Sequence, residues 1–163
     1  MKTGKVDEFS AFAEASLPSL MRLAWMLNRD RQRAEDLTQE ALVKIWLAWR
    51  KREIGNPMAY ARTVLIRCSI DERRRRSSGE VPTEIPDFAG GSTEDAHITS
   101  LTLRNALQHL GATDRAIVVL RFYVGLSSEE IAQEVGLTSG AVRTRLTRAT
   151  SQLRTQLGSA YTP

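Results

Sequence analysis

The sharpest alternation of apolar and polar positions runs from Gly136 to Leu153, "GLTSGAVRTRLTRATSQL". Val142, Leu146, Ala149 and Leu153 recur at steps of four, three and four, which places them on one face of a helix of 3.6 residues per turn. Arg143, Thr144, Thr147 and Arg148 point away from that stripe, and Arg145 flanks it. Thr138 or Ser139 can cap the helix, because a hydroxyl there accepts from an unpaired backbone N–H. Taken alone, the arginines read equally well as a solvated helix face.

The preceding residues, "GLSSEEIAQEVG", predict a shorter helix. Ser127 and Glu130 have capping-box spacing. Ile131, Ala132 and Val135 form its inner face, and Gly136 suits the position after the last turn, where positive φ ends a helix. Two short helices across a tight turn make a helix-turn-helix, whose second helix enters the major groove of DNA. In that geometry Val142 and Leu146 hold the second helix on its domain. Ser139, Gly140, Arg143 and Thr144 face the groove, and Arg145 and Arg148 suit phosphates. Arginine serves both tasks, as a fork for guanine edges and as a permanent charge.

The first half of the chain is patterned as helix throughout. Ser10 to Asn28 carries a broken apolar series, Phe12, Leu17, Leu20, Leu23, Ala24 and Leu27, in which Pro18 is expected to start a new helix. "DRQRAEDLTQEALVKIWLAWR" predicts one long helix capped by Asp30, with Leu37, Ala41, Leu42, Ile45 and Trp49 as its core stripe. Glu35, Asp36, Gln39, Glu40 and Lys44 lie off that stripe, and on physical grounds alone they read as solvated. After Gly55-Asn56-Pro57 a third helix, "MAYARTVLIRCSIDERRRR", ends in Arg73 to Arg76. The helix dipole favours cations there, but four in succession exceed capping and suggest phosphate contacts.

Charge divides the 163 residues into three parts. Residues 1–76 have a balance of +6, residues 77–103 hold no Lys or Arg and a balance of −5, and residues 104–163 return to +3. The middle part, "SSGEVPTEIPDFAGGSTEDA", has no helical period and reads as an extended acidic linker between two basic helical domains. Such a linker gives little reason for the free domains to sit in one fixed arrangement. The fold class is therefore all-α, two small helical domains, the second with a helix-turn-helix.

Composition narrows the function. The net charge of +4 and pI near 9.6 suit an anionic partner. No apolar run reaches the roughly 18 residues of a membrane span, so no membrane insertion is expected, and the N-terminus has no signal-peptide pattern. One cysteine excludes an internal disulfide and a cysteine-rich zinc site. Cys68 reads as a core thiol. His97 and His109 stand apart without partner ligands, so no metal site is expected.

Three stretches together carry a resemblance: "AEDLTQEALVKIWLAW", then "NPMAYARTVLIRCSIDERRRR", then, past the acidic linker, "LGATDRAIVVLRFYVGLSSEEIAQEVGLTSGAVRTRLTRATSQLR". Their order and separation resemble the extracytoplasmic-function group of bacterial RNA polymerase sigma factors, over about residues 8 to 155, and in particular its small actinobacterial members. The resemblance implies a cytoplasmic, non-enzymatic initiation factor without a cofactor, whose partners are core RNA polymerase, promoter DNA and an anti-sigma factor. It implies that Asp36, Gln39 and Glu40 bind the polymerase clamp, in place of the solvated reading above. It implies that Asn56, Tyr60, Arg62, Arg67, Arg73 and Arg74 serve the unstacked minus-10 element, where aromatic and basic side chains suit single-stranded bases. Arg67 stands where the family usually has asparagine, a departure that bears on minus-10 preference. Ser139, Gly140, Arg143, Thr144, Arg145 and Arg148 would serve the minus-35 element. A stand-alone helix-turn-helix regulator is the alternative, and an anti-sigma-like adaptor that binds no DNA the third; a plain regulator has no need of Trp46, Trp49 and the acid-and-amide face of the long helix.

Overall fold

The computed structural model describes residues 2–28, 30–77 and 102–160, and among them the regular structure is helical, with no strand. In chain order the helices are α1 (Lys2–Leu27), α2 (Arg31–Lys51), α3 (Pro57–Ser77), α4 (residues 102–108), α5 (Ala112–Val119), α6 (Ser128–Val135) and α7 (Ser139–Ala160). Residues Leu120–Val124 extend α5 as one π-helical turn. None of these helices is long and apolar enough to cross a membrane. Most of the 77–103 linker, with His97, lies outside the described residues, as do the side chains of Arg73 and Arg74.

The first unit is a bundle of α1, α2 and α3. Ser16, Leu20, Leu23, Ala24 and Leu27 of α1 are buried at helical spacing against Ala34, Leu37, Ala41 and Ile45 of α2 and Ala61, Leu65 and Ile66 of α3. Asp30 caps α2 as its position suggests, accepting from the Gln32 N–H at 3.0 Å. Cys68 is a core thiol, and burial pushes its pKa up while nearby Lys44 pulls it partly back.

Two expectations about α1 are corrected. The helix begins eight residues before Ser10, and Pro18 lies inside it rather than opening a new one. Proline removes one helical donor, which frees the Glu14 carbonyl. Glu14 and Pro18 both lie on the exposed face, where water can serve that carbonyl. The early turns are anchored by aromatics: Phe9 lies 5.1 Å from the Trp46 ring, and Phe12 stacks on Trp49 at 5.3 Å.

The second unit is built from α5, α6 and α7 around Ile117, Leu120, Ile131, Val142, Ala149 and Leu153. Its local signals hold. Ser127 and Glu130 form a complete capping box, Gly136 ends α6 at φ 74°, and Thr138 rather than Ser139 caps α7 by accepting from the Ala141 N–H.

The two units are not independent, and this corrects the expectation of domains without a fixed arrangement. The apolar residues of α3 are not confined to one stripe, and the helix packs on α1 and α2 on one side and on α5 and α6 on the other. A helix apolar on more than one side belongs between layers. Arginines complete the junction. Arg104 of α4 donates to the carbonyls of Trp25 and Asn28 at 3.1 and 2.7 Å and lies over the Trp25 ring at 3.5 Å. Arg115 of α5, 1 % exposed, donates across the junction to the carbonyl of Leu27.

Candidate functional site

Three polar surfaces emerge from this packing. The first is the outer face of α2. The burial of Ala34, Leu37, Thr38, Ala41 and Ile45 turns Asp36 and Gln39 to solvent, with Glu40 half-buried beside them. Gln32 donates to Asp36 at 3.0 Å, and Lys44 pairs with Glu40 at 3.2 Å. These contacts follow the surface of one helix and leave the face open. Val43 and Leu47, both exposed, continue the strip toward the end of α2.

The second surface is the outer face of α7. Its inner stripe is Val142, Ala149 and Leu153. Gly140, Arg143, Thr144 and Arg148 are exposed and Ser139 is half-buried. Arg143 pairs with Glu129 at 3.2 Å, and both side chains are more than half exposed. An exposed pair of this kind contributes little, so Arg143 stays available to a ligand. Arg145 differs: it pairs with Asp114 of α5 at 2.9 Å and is partly buried, which ties α7 to its own domain.

The third surface is the start of α3. Asn56 caps that helix, accepting from the Ala59 N–H at 3.1 Å, and Pro57 occupies the first turn, where its missing N–H costs nothing. The Tyr60 ring lies under the Arg52 guanidinium at 5.3 Å. Arg62 is engaged by the second unit. Its Nη2 and Nε donate to Oε1 of Glu134, on α6, at 2.9 and 3.1 Å. Arg67 donates to the backbone carbonyl of the same Glu134 at 3.4 Å. A cleft of about 490 Å³ runs between them, with Arg52, Asn56, Tyr60 and Arg62 on one wall and Glu130 and Glu134 on the other.

The sequence-nominated residues therefore fall into separate groups. Asp36, Gln39 and Glu40 share one face, and Ser139, Gly140, Arg143, Thr144 and Arg148 share another. Asn56, Tyr60 and Arg62 line one cleft, with Arg67 further along α3. Sequence reasoning passed over Glu134, Arg104 and Arg115. Glu134 looks like one more solvated acid of α6, and nothing local marks the two arginines as buried.

A two-unit helical protein whose second unit carries a helix-turn-helix has the architecture of a DNA-reading factor. Sigma-70 region 2 matches residues 12–79, and sigma-70 region 4 matches residues 100–153. The RNA polymerase sigma-E factor of Streptomyces avermitilis is 34 % identical over 163 residues, covering 98 % of this chain and 90 % of that protein. The ECF RNA polymerase sigma factor SigL of Mycobacterium tuberculosis is 33 % identical over 148 residues, covering 85 % and 82 %. Among solved structures, the sigma factor RpoE in complex with the anti-sigma factor NepR from Bartonella quintana aligns with a TM-score of 0.68 at 26 % identity, over 93 % of this chain and 97 % of that one. The chain belongs to the extracytoplasmic-function RNA polymerase sigma factors.

Proposed function

We propose that this sigma factor docks on core RNA polymerase through Asp36, Gln39 and Glu40 of α2, reads the minus-35 element with the outer face of α7, and holds the opened minus-10 strand on α3. The observation that carries the reading is the open acid-and-amide strip of α2. It is set by a buried stripe on the opposite side of the helix, and a regulator working through its helix-turn-helix alone has no use for it. On α7, Gly140, Arg143 and Thr144 supply groove contacts and Arg148 a phosphate contact, with Ser139 at the helix start. On α3, Tyr60 offers a ring for stacking and Arg62, Arg67, Arg73 and Arg74 offer charge along a single strand. Asn56 sets the start of that helix and so positions Tyr60. Arg145 serves packing first, through Asp114, and phosphate second.

The reading places the protein in the cytoplasm, where polymerase and promoter are, and makes the polymerase the sole catalyst. An anti-sigma factor is the expected negative regulator, by analogy with the solved relative's partner. The test is run-off transcription on genomic fragments with core polymerase, with and without this chain. New transcripts that depend on the chain, and that vanish when the α2 strip is replaced, support the reading. A chain that adds no transcript contradicts it.

A further inference from the structure

We propose that Glu129 of α6 is a positioning residue for minus-35 reading: it holds Arg143 so that the Nε–Nη2 edge of the guanidinium is presented to a guanine. The inference rests on the assignment of the outer face of α7 to the minus-35 element.

Glu129 and Arg143 lie 14 positions apart and meet across the turn of the helix-turn-helix, where Nη1 of Arg143 donates to Oε1 of Glu129 at 3.2 Å. A guanidinium carries its N–H groups in a rigid planar fork. With Nη1 held, Nε and Nη2 remain, two near-parallel donors that match the O6 and N7 acceptors of guanine in the major groove. Adenine has a donor where guanine has O6, so a fixed fork rejects it, while a mobile fork can turn to a phosphate instead. The neighbours of Arg143 are engaged elsewhere. Arg145 is tied back to Asp114 of α5, and the hydroxyls of Thr144 and Thr147 donate to the carbonyls of Gly140 and Arg143 on their own helix.

An acid at this place needs a reason. A carboxylate touching a groove-facing arginine repels phosphates and lowers affinity for any duplex. The fold does not call for it. Ser127 and Glu130 complete the capping box, Ile131 and Ala132 fill the inner face of α6, and the Glu129 side chain is 67 % exposed. The helix dipole favours an acid in the first turn, and Glu130 already supplies one. What Glu129 adds is its bond to Arg143. A group that costs affinity for every sequence and improves the choice among them is a specificity device. The exposed pair adds little to stability; its effect is on the direction of the fork.

The experiment uses the full chain assembled with core polymerase, and a promoter mapped by run-off together with its single-base variants at each minus-35 position. Preference is read by competition between the promoter and each variant for wild type, Glu129→Ala, Glu129→Gln, Arg143→Ala and the double variant Glu129→Ala/Arg143→Ala. Anisotropy at low salt gives the affinity of each free chain for a duplex that lacks both elements. Arg143→Ala should flatten a preference for guanine at one position. Glu129→Ala should lose about fivefold of that same preference, and Glu129→Gln, which keeps an acceptor, should fall between it and wild type. In the absence of Arg143 the Glu129→Ala change should have no further effect on preference. Binding of Glu129→Ala to the duplex without elements should rise about twofold, a movement opposite to the loss of preference that a merely structural role would not produce. If Arg143→Ala flattens the preference and Glu129→Ala does not, the positioning role is wrong and the α7 assignment stands. An equal loss of Glu129→Ala on every duplex is a fold effect and also overturns the role. If Arg143→Ala leaves every minus-35 preference unchanged, the α7 assignment fails and this inference with it.

Discussion

The guanidinium of Arg115 reaches the carbonyl of Leu27 at 2.8 Å, joining residues 88 positions apart. The same side chain donates to the carbonyls of Leu107, Gln108 and Leu110, so one buried cation closes the ends of α1 and α4 together. The negative ends of helix dipoles suit a cation there. Arg115→Ala strands several buried carbonyls and should destabilise the chain by on the order of 3 kcal/mol. Arg115→Lys should restore little, because an ammonium cannot reproduce the planar fork. Urea unfolding measures both; a loss below about 1 kcal/mol for Arg115→Ala would show that water replaces the side chain.

Much of this architecture was legible in the sequence, and the exceptions share a cause. Asp30, Ser127, Glu130 and Gly136 were readable because a cap depends on residues within one turn of itself. The exposed face of α7 followed from the spacing of Val142, Ala149 and Leu153. Arg104, Arg115 and Glu134 were not readable, since their contacts between the two units span 67 to 88 residues and end mostly on backbone carbonyls, which leave no mark in a sequence. Pro18 lies inside α1 against its helix-start signal because a proline opens a helix only when its missing donor cannot be tolerated, and here the exposed Glu14 carbonyl tolerates it.

The Ser127–Glu130 box gives a pH-dependent prediction. The Ser127 backbone N–H, and then its hydroxyl, hold the Glu130 carboxyl below its ordinary value. A lowered carboxyl contributes stability that is present above the unfolded pKa and lost as pH falls through the folded one. Glu130→Ala should therefore destabilise at pH 7 and progressively less as the solution is acidified below the ordinary glutamate value. Ser127→Ala should cost about 1 kcal/mol at pH 7. Urea midpoints across the acid range test both, and a Glu130→Ala deficit that grows on acidification contradicts the assignment.

On α2, replacing Asp36, Gln39 and Glu40 together by alanine should leave the fold intact, since the strip lies opposite the buried stripe. Binding to core polymerase should fall sharply in a pull-down. Equal capture of the triple variant and wild type would remove the docking role.

The arginines of α7 should separate by function. Arg143→Ala should cost on the order of 1–3 kcal/mol in minus-35 binding and relax preference at one or two positions. Arg148→Ala should weaken all promoters alike and lower the salt slope by about 1. Arg145→Ala should reduce thermal stability as well as binding, because Asp114 loses its partner. A double-mutant cycle of Arg145 and Asp114 that shows no coupling in stability would return Arg145 to a purely DNA-facing role.

The most direct test of the whole account is a footprint on a mapped promoter at near-physiological salt, with and without core polymerase. Two weak modules become one strong binder only when a rigid body holds both at the right separation. The account predicts no specific protection by the chain alone and clear protection of the minus-35 and minus-10 elements once core enzyme is added. Strong, sequence-specific protection of both elements by the free chain would contradict it.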